Sequence, residues 1–276
     1  MRERPTTKQI ASPVLLVAGV MILFLATAAS STLAQSTRNL TPLEIQIEKL
    51  KERLGSSEEE ERRDALMRLG AIHRVVASRA ALPALSDPSP IVRVTAMKAI
   101  LSLDAAESAA ALLPLLNDKD EFVRREAAYA LGATRSKTAT SALSDLLLND
   151  KEAGVRGAAA VALGHIGDEA GVIPLVGVLA PQLSAPAKGK RKREENPFVL
   201  RAAAVALGQI KSRAGTSALL AVVSNEKLPD DVRREAVRSL GLIGDPAAIP
   251  ALKTASLSED PFLAQLAHES LRKLSQ

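Results

Sequence analysis

The sequence contains few side chains of the types that catalyse hydrolysis or hold metal ions. Its 276 residues include three histidines, His73, His165 and His268, and no cysteine. Acid-base or metal chemistry needs several such groups within hydrogen-bonding or coordination reach. The histidines are far apart in the chain, and only His268 precedes a carboxylate, Glu269. We therefore expect no catalytic residue, metal or cofactor, although a Ser-His-Asp arrangement formed only in space stays open.

A run of basic residues is the second chemical feature of the sequence. It lies in residues 180–196, where Pro, Ser and Gly predict an exposed loop. Residues 188–195 contribute +3 of the net charge of +5, and residues 2–8 contribute +2. Aromatic residues make up only 2% of the chain, so a base-stacking surface for nucleic acid is not expected. The loop is either solvated or binds an anionic surface or acidic partner through Lys188, Lys190, Arg191, Lys192 and Arg193.

The sequence contains an internal repeat, and the repeated secondary-structure elements determine where these side chains lie. The heptapeptide AAAVALG occurs twice, and related segments extend through the rest of the chain. Their starts are 31 to 33 residues apart, with one interval of 44 that contains the basic loop. Such periods are typical of solenoid proteins, in which each unit buries its apolar face against its neighbours. The seven segments start at Glu61, Val92, Val123, Val155, Val199, Val232 and Leu263.

Each copy has the pattern of two helices joined by a turn. In the copy that starts at Val123, Ala127 and Leu131 continue an apolar stripe at helical spacing. An Asp in the following GDE or GDP motif is expected to cap the second helix. Small apolar residues and few aromatics suit closely packed helices, so we expect an all-α fold. We also expect a glycine to end each first helix in the left-handed conformation, at Gly132, Gly164, Gly208 and Gly241.

The pattern VRxxAAxALGxIGDPxAIPAL resembles the HEAT-like repeats first associated with phycobilisome lyases. The resemblance covers residues 56–276 and implies an α-α superhelix of about six to seven helix-turn-helix repeats. It implies no single activity: the HEAT-like deoxyhypusine hydroxylases hold two irons with several His-Glu pairs, and this chain has one such pair. It also implies charged pairs that link neighbouring repeats, formed by Arg124, Arg156 and Arg233 with the upstream acids Asp118, Asp150 and Asp230 or Asp231.

The first 34 residues have the composition of a secretory signal peptide. Basic residues precede an uncharged run from Val14 to Ala29, and small residues follow up to Ala34. The prediction is a protein that is exported to the periplasm or the extracellular space. An uncleaved N-terminal membrane anchor is the alternative.

Residues 35–55 are predicted to form a linker and an amphipathic helix. Thr41 and Glu44 have the spacing of a capping box at the start of that helix. We expect the helix to cap the repeat array, and a free helix for coiled-coil pairing is the alternative. Its apolar face comprises Leu43, Ile47, Leu50 and Leu54.

The second helices should line one face of the array, which in solenoids is a concave binding surface. The two positions after each recurring Ala-Leu are candidates for that face, and four of the six pairs begin with an aliphatic residue. They either form an apolar ridge for a partner helix or peptide, or pack between repeats. Pro114 also predicts a local kink. The pairs are Leu82-Pro83, Leu113-Pro114, Ser144-Asp145, Val176-Gly177, Leu220-Ala221 and Lys253-Thr254.

The sequence therefore predicts a non-enzymatic scaffold in an exported compartment. Its partner would be another protein or a peptide, with nucleic acid and metal not expected. Two alternatives stay open: a HEAT-like enzyme or enzyme accessory related to the lyases or hydroxylases, and an adaptor tethered to a membrane.

Overall fold

The computed structural model describes residues 40–183 and 195–275, with side chains described for residues 40–180 and 195–275. These residues form fourteen α-helices and no strand, which confirms the all-α prediction. The predicted signal peptide, residues 1–34, lies outside the described residues. So do the five basic residues between Lys188 and Arg193.

The helices follow one another in pairs. After the first helix, the next twelve helices form six consecutive pairs, and one last helix follows them. In each pair the even-numbered helix is the first helix and the odd-numbered helix is the second. The helices are α1 (Pro42–Arg53), α2 (Glu59–Ala71), α3 (Val75–Ala81), α4 (Pro90–Ala99), α5 (Ala105–Leu112), α6 (Glu121–Thr134), α7 (Thr140–Asn149), α8 (Ala153–Ile166), α9 (Val172–Leu183), α10 (Pro197–Ile210), α11 (Thr216–Ser224), α12 (Asp230–Ile243), α13 (Ile249–Ala255) and α14 (Pro261–Leu274).

Of the described residues, 40–46 belong to one compact unit and those from Ile47 onward belong to a second. The described part of the first unit contains the start of α1, where the predicted capping box is confirmed. The amide N of Thr41 donates to Glu44 Oε2 at 2.7 Å, and the amide N of Glu44 donates to Thr41 Oγ1 at 3.3 Å. Two otherwise unsatisfied amide groups at the helix start are thereby paired.

In the second unit the helices form two layers. The first helices pack side by side from α2 to α14, and the second helices contact one another from α7 to α13. The core between the layers is built mainly from leucine and alanine, which explains how the unit packs with so few aromatic residues. Its largest fully buried side chains are Leu66, Leu69, Met97, Ile100, Leu112, Leu131, Leu143, Leu147, Leu163, Leu175, Leu179 and Leu207.

The prediction that the repeat glycines end the first helices is wrong. Gly132 lies inside α6, and the left-handed residue that ends this helix is Arg135, with φ 53°. A Cβ atom at Gly132 would lie 2.8 Å from Ala162 Cα in the next first helix. The glycine is therefore required by close helix packing. Gly164, Gly208 and Gly241 likewise lie inside α8, α10 and α12.

Proline interrupts the second helix at the predicted position. Helix α5 ends at Leu112, and Pro114 occupies the start of a 3₁₀ helix, Leu113–Asn117, that continues the chain. Pro83 has the same place in the 3₁₀ helix Leu82–Ser86 after α3. The missing N–H group and the ring of proline account for both changes in helix type.

Ion pairs join consecutive repeats, but each arginine reaches forward and not to the upstream acid. The Nε of Arg124 donates to Asp150 Oδ2 at 2.7 Å, while its Nη1 donates to the main-chain oxygen of Asp118 at 2.9 Å. The carboxylate of Asp118 instead pairs with Arg93 of the preceding repeat at 2.8 Å. We call these cross-repeat pairs rungs: Arg62–Asp87, Arg93–Asp118, Arg124–Asp150 and Arg156–Glu195.

The rungs are missing at the last two boundaries between repeats. The repeat that starts at Val199 has Leu200 at the arginine position, and the next repeat has Lys227 at the acid position, so both members of one rung are replaced. Arg233 pairs with the predicted acid Asp230 at 3.7 Å, but this pair lies within one helix and does not link two repeats, so that part of the prediction is wrong. The neighbouring Arg234 crosses to the next repeat and donates to Asp260 at 2.8 Å.

Candidate functional site

The structure places the predicted contact residues on the second helices or, for two pairs, in the 3₁₀ helices that follow α3 and α5, and all of them are half-buried or exposed. Their outward side is called the second-helix face below. The first residue of each candidate pair is half-buried, except Lys253, which is exposed. The second residues Pro83, Pro114, Asp145, Gly177 and Thr254 are exposed, and Ala221 is half-buried. The half-buried residues are Leu82, Leu113, Ser144, Val176 and Leu220.

A groove between α7 and α9, the α7–α9 groove, brings three of these candidates together. It has a volume of ≈ 690 Å³ and contains Ser144 and Asp145 from α7 and Gly177 from α9. A Cβ atom at Gly177 would meet Leu148 Cδ2 at 3.8 Å, so the glycine keeps this part of the groove open.

Two exposed aliphatic side chains give the α7–α9 groove its apolar character. Ile173 is 81% exposed and Leu148 is 47% exposed. Large apolar side chains of this exposure in one groove are typical of interaction surfaces. The sequence prediction missed both, although Ile173 occupies a position that is Ser141 in the preceding second helix and Ser217 in the following one.

Polar groups also line the α7–α9 groove. Thr140 is buried there, and its Oγ1 donates to Asp168 Oδ2 at 3.0 Å across the repeat boundary. The Oδ1 of Asp168 accepts from the amide N of Ala170 at 3.4 Å, so Asp168 is an N-terminal cap as predicted, but of the 3₁₀ helix Glu169–Gly171 that leads into α9. Lys137 and Ser141 also line the groove. An apolar wall beside fixed polar groups can bind an apolar side chain and orient the backbone that carries it.

Two further grooves contain other candidates. Leu113 and Asp145 line a groove beside α7 that includes the Arg124–Asp150 rung. Lys253 and Thr254 line a groove at the ends of α11 and α13. The second-helix face thus holds a series of clefts between neighbouring repeats, with the charged residues Asp145 and Lys253 in their lining.

Two phenylalanines at the starts of first helices, Phe122 in α6 and Phe262 in α14, are partly exposed. Phe262 is 62% exposed, and the guanidinium of Arg234 lies 5.0 Å from the centre of its ring. Arg125 has the same relationship with Phe122, also at 5.0 Å. Cation–π contacts of this kind stabilise the outer surface of the array.

The histidines do not form a common site. His73 is in the turn between α2 and α3 with φ 50°, His165 is in the last turn of α8, and His268 is in α14. Among the residues that the structure describes, no group of three His, Asp or Glu side chains could hold a metal ion. Within those same residues, no helix has the length and apolar content that a membrane crossing requires.

Comparison with known families agrees with the repeat architecture. A family model described as HEAT repeats matches residues 78–164, 116–182 and 190–272. The comparison with curated proteins found no match.

Several solved structures are similar in fold. YibA of Escherichia coli is 20% identical with a TM-score of 0.58, over 84% of this chain and 81% of that chain. The complex of CpcE and CpcF of phycocyanin lyase from a Nostoc species is 24% identical with a TM-score of 0.47, over 87% and 90%. Human deoxyhypusine hydroxylase in complex with glycerol is 17% identical with a TM-score of 0.41, over 83% and 96%. At these identities the similarity shows the fold alone.

Proposed function

The chain belongs to the HEAT-repeat proteins, and from that premise we propose that it is a non-enzymatic scaffold that binds another protein through its second-helix face. The observation that carries the proposal is the α7–α9 groove, where Ile173 and Leu148 are exposed beside fixed polar groups. Repeat arrays present extended surfaces of this kind to partners.

The groove favours an amphipathic helix or an extended peptide as the bound segment. Aliphatic or aromatic side chains of the partner would cover Ile173 and Leu148. The polar groups of the groove would form hydrogen bonds with the main chain or side chains of the partner. We further propose that the scaffold acts in an exported compartment, on the basis of the N-terminal composition, and that the basic residues between Lys188 and Arg193 add an anionic contact.

The test is site-specific photo-crosslinking followed by binding measurements on purified components. A photoreactive residue is placed at Ile173, and for comparison at Met67, which is 54% exposed on the first helix α2. A protein cross-linked from Ile173 but not from Met67 is then purified and its Kd is measured. We expect Ile173→Asp to weaken binding about ten-fold or more and Met67→Asp to leave it unchanged.

Circular dichroism and the melting temperature establish that both variants remain folded. A folded Ile173→Asp variant that binds with wild-type Kd would show that the α7–α9 groove is not the binding surface. A metal ion or chromophore that co-purifies with the protein would instead support an enzyme or enzyme accessory.

A further inference from the structure

The last boundary between repeats has an arginine at the rung position but no acid opposite it. In three rungs the acid lies five residues before the start of the next first-helix segment, as Asp150 does before Val155. At the α12–α14 boundary Arg233 has the arginine position. The corresponding acid position, five residues before Leu263, is Ser258.

Ser258 retains only one of the two contacts that the aspartate makes elsewhere. The Oδ1 of Asp150 accepts from the amide N of Glu152 at 2.8 Å, and this bond shapes the turn before α8. The Oγ of Ser258 accepts in the same way from the amide N of Asp260 at 3.2 Å. The turn is therefore preserved, while the carboxylate that would bind the arginine is missing.

Arg233 has a different set of contacts from the other rung arginines. Its Nε donates to the main-chain oxygen of Val223 at 3.2 Å, and its Nη1 lies 3.7 Å from Asp230, a carboxylate that is 61% exposed. The Arg233 side chain is only 15% exposed. Since an arginine has five N–H donors, these contacts leave the guanidinium with capacity to bind a carboxylate.

Arg233 lines a groove of ≈ 600 Å³, the Arg233 groove, at the ends of α11 and α13. Lys253 supplies a second positive charge there, and Ser224, Thr254 and Ser258 supply hydroxyl groups. Glu226 is an acid on the same lining. Leu257, which is 86% exposed, and Ala251 form an apolar wall.

We propose that the Arg233 groove binds an Asp or Glu side chain of a partner polypeptide, with an adjacent aliphatic side chain packed on Leu257. The complete rungs show what this arginine position binds: Arg124 donates through Nε and Nη2 to both carboxylate oxygens of Asp150. A paired charge-assisted contact of this type is directional as well as strong. The proposal rests on the proposed function, because the ligand is a polypeptide on the second-helix face.

The test uses two synthetic peptides that differ in one group, acetyl-Ala-Leu-Asp-Leu-Ala-amide and its Asn counterpart. Binding to the full chain is followed by NMR of the arginine Nε–H signals and by calorimetry. We expect the Asp peptide to bind about ten-fold more tightly than the Asn peptide, since only the carboxylate pairs with the guanidinium. The Arg233→Gln variant should lose this preference. Arg201→Gln, which changes an arginine in the first helix α10, is the matched control and should keep it.

Ser258→Asp is the decisive second variant, because it restores the missing acid within the chain. We expect it to raise the melting temperature and to abolish the preference for the Asp peptide, since its carboxylate occupies Arg233. Equal affinity for both peptides, or no binding at millimolar concentration, overturns the proposal. Sodium acetate that shifts the Arg233 signal at the same concentration as the Asp peptide also overturns it, because the site would then bind any small carboxylate.

The two proposals fail separately. If the Asp preference is absent but Ile173→Asp still weakens the cross-linked partner, the carboxylate site is wrong and the scaffold function stands. If the Asp preference is present and is lost in Arg233→Gln, the carboxylate site is supported even where the α7–α9 groove variant keeps its partner.

Discussion

Arg124 and Asp150, one repeat apart, pair through two hydrogen bonds, from Nε to Oδ2 at 2.7 Å and from Nη2 to Oδ1 at 3.2 Å. Both side chains are almost fully buried, at 9% and 6% exposure. The Nη1 of Arg124 also donates to the carbonyl of Asp118, so one guanidinium joins its own turn to the next repeat. Such a pair sets the register of neighbouring units, and removing one member leaves a buried charge.

Removing the acid of this rung should destabilise the array strongly. We expect Asp150→Asn to lower the free energy of unfolding by about 3 kcal/mol, because Arg124 would stay buried without its carboxylate. The control is Asp145→Asn, on the exposed side of α7, which should change stability by less than about 0.5 kcal/mol. Urea unfolding followed by circular dichroism measures both. A loss in Asp150→Asn no larger than in the control would contradict the structural role of the rung.

The same rung should make stability depend on pH in acid. Burial alone would raise the pKa of Asp150, but hydrogen bonds from Arg124 and from the amide of Glu152 outweigh it and hold the pKa below its ordinary value. Because this pKa is lower in the folded than in the unfolded state, the ionised carboxylate stabilises the fold at pH values above the unfolded-state pKa of about 3.9. The stabilisation is lost as the pH falls through the folded-state pKa. The stability difference between wild type and Asp150→Asn should therefore be constant near neutrality and shrink below about pH 4. A stability difference between wild type and Asp150→Asn that grows towards low pH would contradict this prediction.

Two helix glycines should respond oppositely to alanine. The Cβ of Gly132→Ala would lie 2.8 Å from Ala162 Cα, so helices α6 and α8 would be forced apart. We expect a loss of about 1–3 kcal/mol from this overpacking. Gly177→Ala, where the nearest atom would be Leu148 Cδ2 at 3.8 Å, should gain about 0.5–1 kcal/mol from helix propensity. Thermal unfolding of both variants measures these effects. A higher melting temperature for Gly132→Ala than for wild type would rule out close helix packing as the reason for the glycine.

The missing rung between the repeats of α10 and α12 should be restorable only as a pair. Leu200 is 2% exposed, so Leu200→Arg alone buries an unpaired charge and should be destabilising. Adding Lys227→Asp supplies the acid at the matching position. A double-mutant cycle should give a favourable coupling of about 1 kcal/mol or more between the two changes. Additive effects would mean that this boundary cannot accommodate a rung.

The N-terminal prediction has a direct test. If residues 1–34 are a signal peptide, the mature protein begins at Gln35, because the small residues up to Ala34 provide the cleavage site. Intact-mass measurement of the protein from its native source gives the N-terminus. Retention of the first 34 residues would favour the anchor alternative.

Periodic apolar residues carry most of the information about the fold. They predict the helix pairs and their spacing, and local motifs predict the Thr41–Glu44 box and the Asp168 cap, since each depends on neighbours in sequence. The role of Gly132 was not predictable, because a helix-ending glycine and a glycine at a close helix contact look alike without the neighbouring helix. Partner choice in the rungs was also undetermined, since Arg124 has acids on both sides in sequence.

The proposed binding surface was harder to predict for the same reason. Ser144 and Asp145 lie in the α7–α9 groove, but the groove also depends on Gly177 and Ile173 in the next second helix. Their contribution follows from packing between repeats, which sequence spacing does not specify. The substitution of Ser258 at an acid position was visible in the aligned repeats, and its meaning became clear only from the turn contact that it preserves.

The forward reach of each rung has a consequence for how such a chain can change length. Excising residues 124–155, one repeat, would join Val123 to Arg156 and leave Asp118 still paired with Arg93. Arg156, which now donates to the carbonyl of Asp150, would meet the carbonyl of Asp118 at the same spacing and keep Glu195 as its forward partner. The excision would leave no member of a rung without its ion-pair partner. Duplication or loss of a whole repeat therefore preserves the ion pairs in this part of the array, and its length can evolve in steps of one repeat.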